Sequence, residues 1–220
     1  MPDHPGHVRV SFAAHLEEIE RLVMRQFGLV IEGISGATTV LLNDDVEGAE
    51  RLAARDEVID DLEYQIEESV EQQLLLESPV ARDFRFLMTV SRIVPELERS
   101  GDLAEHIAAE AARGFGRHLT PSLRGAVQDM GDIAGSMWRR ASDAFRDHDG
   151  TAGEELDRVD DELDAIHRRF VDEAAEQLAG EQVSCAALVG RYYERLGDHA
   201  VNIAKRITYL ATGRPQRELR

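Results

Sequence analysis

ERSGDLAEHIA, Glu98 to Ala108, returns 96 residues later as ERLGDHAVNIA, Glu194 to Ala204, with Glu, Arg, Gly, Asp, Ala, Ile and Ala at the same seven places. A segment that recurs at a fixed offset marks an internal duplication. Around the first copy, apolar residues recur at helical spacing in Phe12, Leu16, Ile19, Val23, Phe27, Val30 and Ile34, predicting a first helix to about Leu42. A second helix is expected from Val46 to about Glu77, through Ala49, Leu52, Ile59, Leu62, Ile66 and Val70. Ser78 and Pro79 read as N-cap and first residue of a third, through Leu87, Val90, Val94, Leu97 and Ile107 to about Arg113. The second half repeats the plan. Thr120 and Pro121 open a fourth helix, Thr151 with Glu154 forms a capping box for a fifth, and a sixth runs from about Ser184 to Ala211. The expected class is all-α: two tandem three-helix bundles at 9–116 and 120–213, with loose termini at 1–8 and 214–220.

The bulk composition excludes several functions. Acidic residues number 43 against 25 basic ones, a formal net charge of −18, so the field repels nucleic-acid backbones and anionic lipids and favours cations or a basic partner surface. Cys185 is the only cysteine, which rules out an intrachain disulfide and fits a reducing cytoplasm, with plain packing as its expected role. No run approaches the roughly 18 apolar residues of a membrane span, and the first residues, MPDHPGHVRV, lack the basic and apolar regions of a secretion signal. A soluble cytoplasmic protein is expected.

Each repeat sets a Glu four residues before an Asp, Glu98 with Asp102 and Glu194 with Asp198, one turn apart on a helix. With Leu196 at zero on a helical wheel, Leu188, Tyr192, Ala200, Ile203, Ile207 and Leu210 share one arc, and Glu194 and Asp198 fall opposite, on an expected solvent-facing stripe. The middle helix of each half carries its own pair, Asp56 with Asp60 and Asp160 with Asp164. If antiparallel neighbours bring the pairs together, four carboxylates form a hard-oxygen site for iron, manganese, magnesium or calcium, and an imidazole such as His106 would admit zinc. His106 and Asn202, one turn after Asp102 and Asp198, are further candidate ligands. Any one such pair is ordinary in a chain with 43 acids. What singles these out is their recurrence together with an interior glycine, Gly101 or Gly197, that costs a helix about 1 kcal/mol relative to alanine. Close approach of a neighbouring helix, a metal shell, or inheritance from a duplicated ancestor are the explanations open.

RYYERLGDHAVNIAKRITYLATG, Arg191 to Gly213, and SPVARDFRFLMTVSRIVPELERSGDLAEHIA, Ser78 to Ala108, resemble the two signatures of the PhoU family of phosphate-uptake regulators, and the likeness spans nearly the whole chain. The resemblance implies two tandem three-helix bundles. It also implies surface multinuclear metal clusters held by Asp56, Asp60, Glu98, Asp102, Asp160, Asp164, Glu194 and Asp198, with iron or zinc as first candidates. It further implies a cytoplasmic negative regulator, often a homodimer, that links a phosphate ABC transporter ATPase to a sensor histidine kinase and reaches the membrane only through those partners. The first signature departs from the family at Pro95, where a kink and a lost donor are expected three residues before Glu98, and at Phe84, Ser100 and Leu103.

Enzymatic motifs are missing from the sequence: there is no GxSxG or GxxxxGK, and none of the eight histidines follows a Glu by three, as a di-metal carboxylate oxidase would require. A non-enzyme is expected. The alternatives are a metal-free helical adaptor and a di-metal carboxylate enzyme.

Overall fold

The buried faces expected from helical spacing appear as helices in a computed structural model that describes the backbone of residues 5–53 and 57–214 and the side chains of 12–52 and 58–214. Ile19, Val23, Phe27, Val30 and Ile34 form the inner stripe of α1 (Pro5–Asn43), which starts earlier than expected. The second expected helix appears as α2 (Val46–Ala53) and α3 (Glu57–Leu76), with residues 54–56 between them outside the described residues. Then come α4 (Ala81–Ala112), a 3-10 turn at Phe115–His118, α5 (Pro121–Asp147), α6 (Ala152–Gln177) and α7 (Glu181–Thr212). No strand occurs among the described residues.

Local chemistry explains some helix ends and overturns two expected caps. Thr120 caps α5 as expected, its Oγ1 accepting from the Leu123 N–H at 3.4 Å with Pro121 at the first position. Ser78 does not cap α4: its φ is +46°, in the left-handed region, and the helix opens at Ala81 after an extended Val80. Thr151 forms no capping box. Its N–H and hydroxyl both donate to Asp149 Oδ1, at 2.9 and 2.7 Å, so the aspartate takes the turn that the threonine was expected to hold. Gly213, with φ +70°, ends α7 in the left-handed conformation that glycine adopts without strain, its N–H donating to Tyr209 O at 2.8 Å.

The helices form two sets, α1 with α2, α3 and α4, and α5 with α6 and α7, joined where α1 packs on α5 and α4 on α7. The joint is part of the core. Phe27 of α1 meets Trp138 and Phe145 of α5 at ring-centroid distances of 6.1 and 5.8 Å. Trp138 Nε1 donates to Leu196 O at 3.0 Å, and the fully buried Tyr193 hydroxyl lies 2.7 Å from Thr38 Oγ1. Buried aromatic polar atoms need such partners, and these lie in the other helices of the joint. Arg124 ties the connection down: its guanidinium donates to Leu42 O, to Gly116 O at 2.7 Å and to Leu119 O at 3.3 Å. Gly116 itself packs on the Leu41 carbonyl, leaving no room for a Cβ.

Pro95 does not interrupt α4, which runs unbroken from Ala81 to Ala112. The flanking Ile93, Val94 and Leu97 are fully buried and hold both sides of the proline in place.

Candidate functional site

The repeated glycine is the element that builds the site. A Cβ on Gly197 would fall against Asp160 Oδ1 and lie 2.7 Å from Leu163 Cδ2, so α6 approaches α7 at a point where only glycine fits the present packing. Gly101 does the same in the first half, where a Cβ would lie 2.7 Å from Ile59 Cδ1 of α3. Ile59 and Leu163 are counterparts when Asp60 is aligned with Asp164. Of the explanations open from the sequence, close helix approach is the one that the packing supplies. Gly190 extends the seam, with the His167 ring 2.8 Å from where its Cβ would stand.

This approach gathers the carboxylates. In the second half Asp160 is pushed up to about 7, first by burial and then by the charges of Asp198, Asp164, Glu194 and Asp157. Glu194 is raised by burial and by Asp198, while Arg191 Nη1, donating to its Oε1, opposes the shift. Asp164 also accepts from Arg168 at 3.4 Å. In the first half Glu98 is pushed up to about 7 by burial and by Asp102, Glu63 and Asp60, and Asp102 is raised by burial while the His106 charge pulls it down. Asp60 is exposed; Asp56 lies outside the described residues.

One expectation is corrected. Glu194 and Asp198 do not stand on an open stripe: the Glu194 side chain is only 15% exposed. The wheel assumed one buried arc, but α7 is packed by α4, α5 and α6. Val201 is buried on a flank that the wheel had left open, and Leu188, expected in the core, is exposed. Of the additional candidates, Asn202 is exposed on α7, and His106 is exposed and stacks on Tyr192, with centroids 5.3 Å apart.

The residues that sequence reasoning passed over are Glu63 and His167, counterparts three residues after Asp60 and Asp164. That spacing placed them one turn along the same helical face and was the signal available. His199 was also missed. It is buried between α4 and α7, its Nδ1 2.9 Å from Ser100 Oγ and its Nε2 3.7 Å from Glu96 Oε2, and burial holds its imidazole below the ordinary range.

The fit to a metal is one of donor chemistry and charge. Asp160 Oδ1 and Glu194 Oε2 are buried and lack a hydrogen-bond partner among the described residues. Two orphaned carboxylate oxygens amid mutually repelling acids are what a hard cation would satisfy. The side chains are not gathered into a ligand shell: among the described residues no group of three or more His, Cys, Asp or Glu is arranged to hold a metal ion. Burial and Glu110 push the Cys185 thiol up to about 11, away from the thiolate form that a nucleophile uses. No helix among the described residues is long and apolar enough to cross a membrane.

A duplicated all-helical protein with an acidic seam in each half is the class that fold and site define. The chain belongs to the PhoU family: the PhoU domain profile matches residues 23–111 and again 127–207. It is 30% identical over 210 residues to the phosphate-specific transport system accessory protein PhoU homolog 2 of Mycobacterium tuberculosis, covering 94% of this chain and 99% of that one. The crystal structure of PhoU from Pseudomonas aeruginosa superposes with a TM-score of 0.86 at 28% identity, over 92% of this chain and all of the other. The phosphate transport system regulatory protein PhoU from Streptococcus pneumoniae gives 0.81 at 25% identity, over 92% and 98%.

Proposed function

We propose that this chain is a non-enzymatic, cytoplasmic regulator of phosphate uptake that holds cations in its acidic seams and acts by binding a phosphate ABC transporter ATPase and a sensor histidine kinase. Family membership supports the regulatory role, because the similar proteins are named as accessory or regulatory proteins of phosphate transport. The observation that carries the cation reading is the second seam, where Asp160 and Glu194 each leave a buried oxygen unpaired beside Asp164 and Asp198. These four would hold a cation there; Asp60, Glu98 and Asp102 would do so in the first half, with Glu63 beside them. Bound metal would supply positive charge that cancels the repulsion between helices otherwise pushed apart.

Deleting the gene, in a strain with no second gene of the family, should raise phosphate-uptake transcripts several-fold in phosphate-replete medium. A full-length copy restores repression. Transcripts that stay at the repressed level after deletion contradict the regulatory role.

A further inference from the structure

The outer side of α3 differs from the rest of the surface. Tyr64, Leu75 and Leu76 are 69%, 81% and 68% exposed, and Val58 on the same helix and Val80 and Phe84 just beyond it are exposed too. Among the described residues α3 packs only on α1 and α4. Single exposed apolar side chains are common, but Tyr64 and Leu75 are eleven residues apart, three helical turns or about 16 Å along one face. Between them stand Glu67, Glu68 and Glu71, and α3 has seven Asp or Glu with no Lys or Arg.

The duplication provides an internal comparison. α6 occupies the same place in the second half, has the same buried face, and exposes no large apolar side chain. Where α3 has Tyr64, α6 has Arg168, paired with Asp164, and Arg158 and Arg169 dilute its acids further. The fold therefore does not require the exposed apolar residues of α3.

We propose that the face of α3 from Tyr64 to Leu76 is a docking surface for a cationic amphipathic helix of a partner protein. Apolar residues towards the two ends of such a helix would cover Tyr64 and the Leu75 and Leu76 pair, and Lys or Arg between them would meet Glu67, Glu68 and Glu71. A second copy of this chain would set α3 against α3, seven acids facing seven, and an anionic membrane would meet the same repulsion. The surface deepens the accessory role proposed above and rests on it for the existence of a partner.

The probe is a fluorescent helical peptide of about 18 residues made of Leu and Lys, titrated into the full chain at about 0.15 M salt and followed by anisotropy. The combined variant Tyr64→Ser, Leu75→Ser, Leu76→Ser keeps the net charge and should weaken binding at least about tenfold. Leu188→Ser, an exposed leucine on α7, should bind as the unaltered chain does. Tyr64→Arg, which installs the residue found in the second half, should weaken binding without disturbing the fold. Equal binding by the triple variant and the unaltered chain overturns the proposal, since acidity alone would then explain attraction. It is also overturned if the triple variant splits a dimer seen in sedimentation, or if phosphatidylglycerol vesicles bind with the same dependence on these residues. Weakened peptide binding together with unchanged transcripts on gene deletion would keep the surface and remove the phosphate role; the reverse would remove the surface alone.

Discussion

Gly197→Leu should lower the melting temperature by roughly 6–12 °C, whereas Gly125→Ala should leave it unchanged or raise it slightly. Both glycines lie inside helices and both gain about 1 kcal/mol of helix propensity when replaced by a residue with a side chain. The difference lies in what surrounds them. At Gly125 nothing stands within 4 Å of a new Cβ. At Gly197 the Cβ alone meets Asp160 and Leu163, and three further carbons must be lodged in the α6–α7 seam. Overpacking of this kind costs about 3–5 kcal/mol here, a net loss of about 2–4 after the propensity gain, and at this chain length each kcal/mol shifts the midpoint by about 3 °C. Calorimetry of the two variants checks it. Equal midpoints would mean that the helices do not depend on the glycine for their approach.

In chelator, the unaltered chain should lose stability between pH 5 and pH 8, and Asp160→Asn should remove much of that loss. Asp160 ionises at about 7 in the folded chain against an ordinary value of 3.8. The folded state therefore binds more protons than the unfolded one between these values, and its stability falls as pH rises. The contribution is fully present below 3.8 and gone once pH has risen through about 7. With the side chain partly exposed, screening reduces it to on the order of 1–2 kcal/mol. Glu98, also pushed up to about 7, acts in the same direction and keeps part of the slope in the variant. Asp149 acts oppositely but outside the window: Thr151 and Arg140 hold it at about 2, so its contribution is lost only in strong acid. Thermal melts at pH 5 and pH 8 decide the point. A chain more stable at pH 8, with no difference for Asp160→Asn, would mean that the seam carries no such repulsion.

Much of the fold was legible because helical spacing and the repeat agree. The expected faces of α1 and α4 are buried at nearly every position, and the proline-led start of α5 is correct to the residue. What escaped depended on contacts far apart in the chain. The buried Tyr193 hydroxyl finds its partner in Thr38, 155 positions earlier, a pairing that helical spacing does not reveal. The cover over Glu194 comes from a helix packed on three sides, which a wheel with one buried arc does not anticipate. Thr151 lost its expected cap to Asp149, a competitor two residues away. The recurring Glu, Gly and Asp were visible from the start. That the glycine admits α6, and so brings Asp160 beside Glu194 and Asp198, required the packing.

The most direct measurement is the metal content of the full chain purified without affinity tag or chelator, by elemental analysis. More than one transition-metal ion per chain is expected, with the content reduced in the Glu194→Ala, Asp198→Ala variant and the melting midpoint of the unaltered chain lowered when chelator strips the metal. Metal-free protein that takes up no iron, manganese or zinc on addition, and melts at the same temperature with and without chelator, would contradict the cation reading of the two seams.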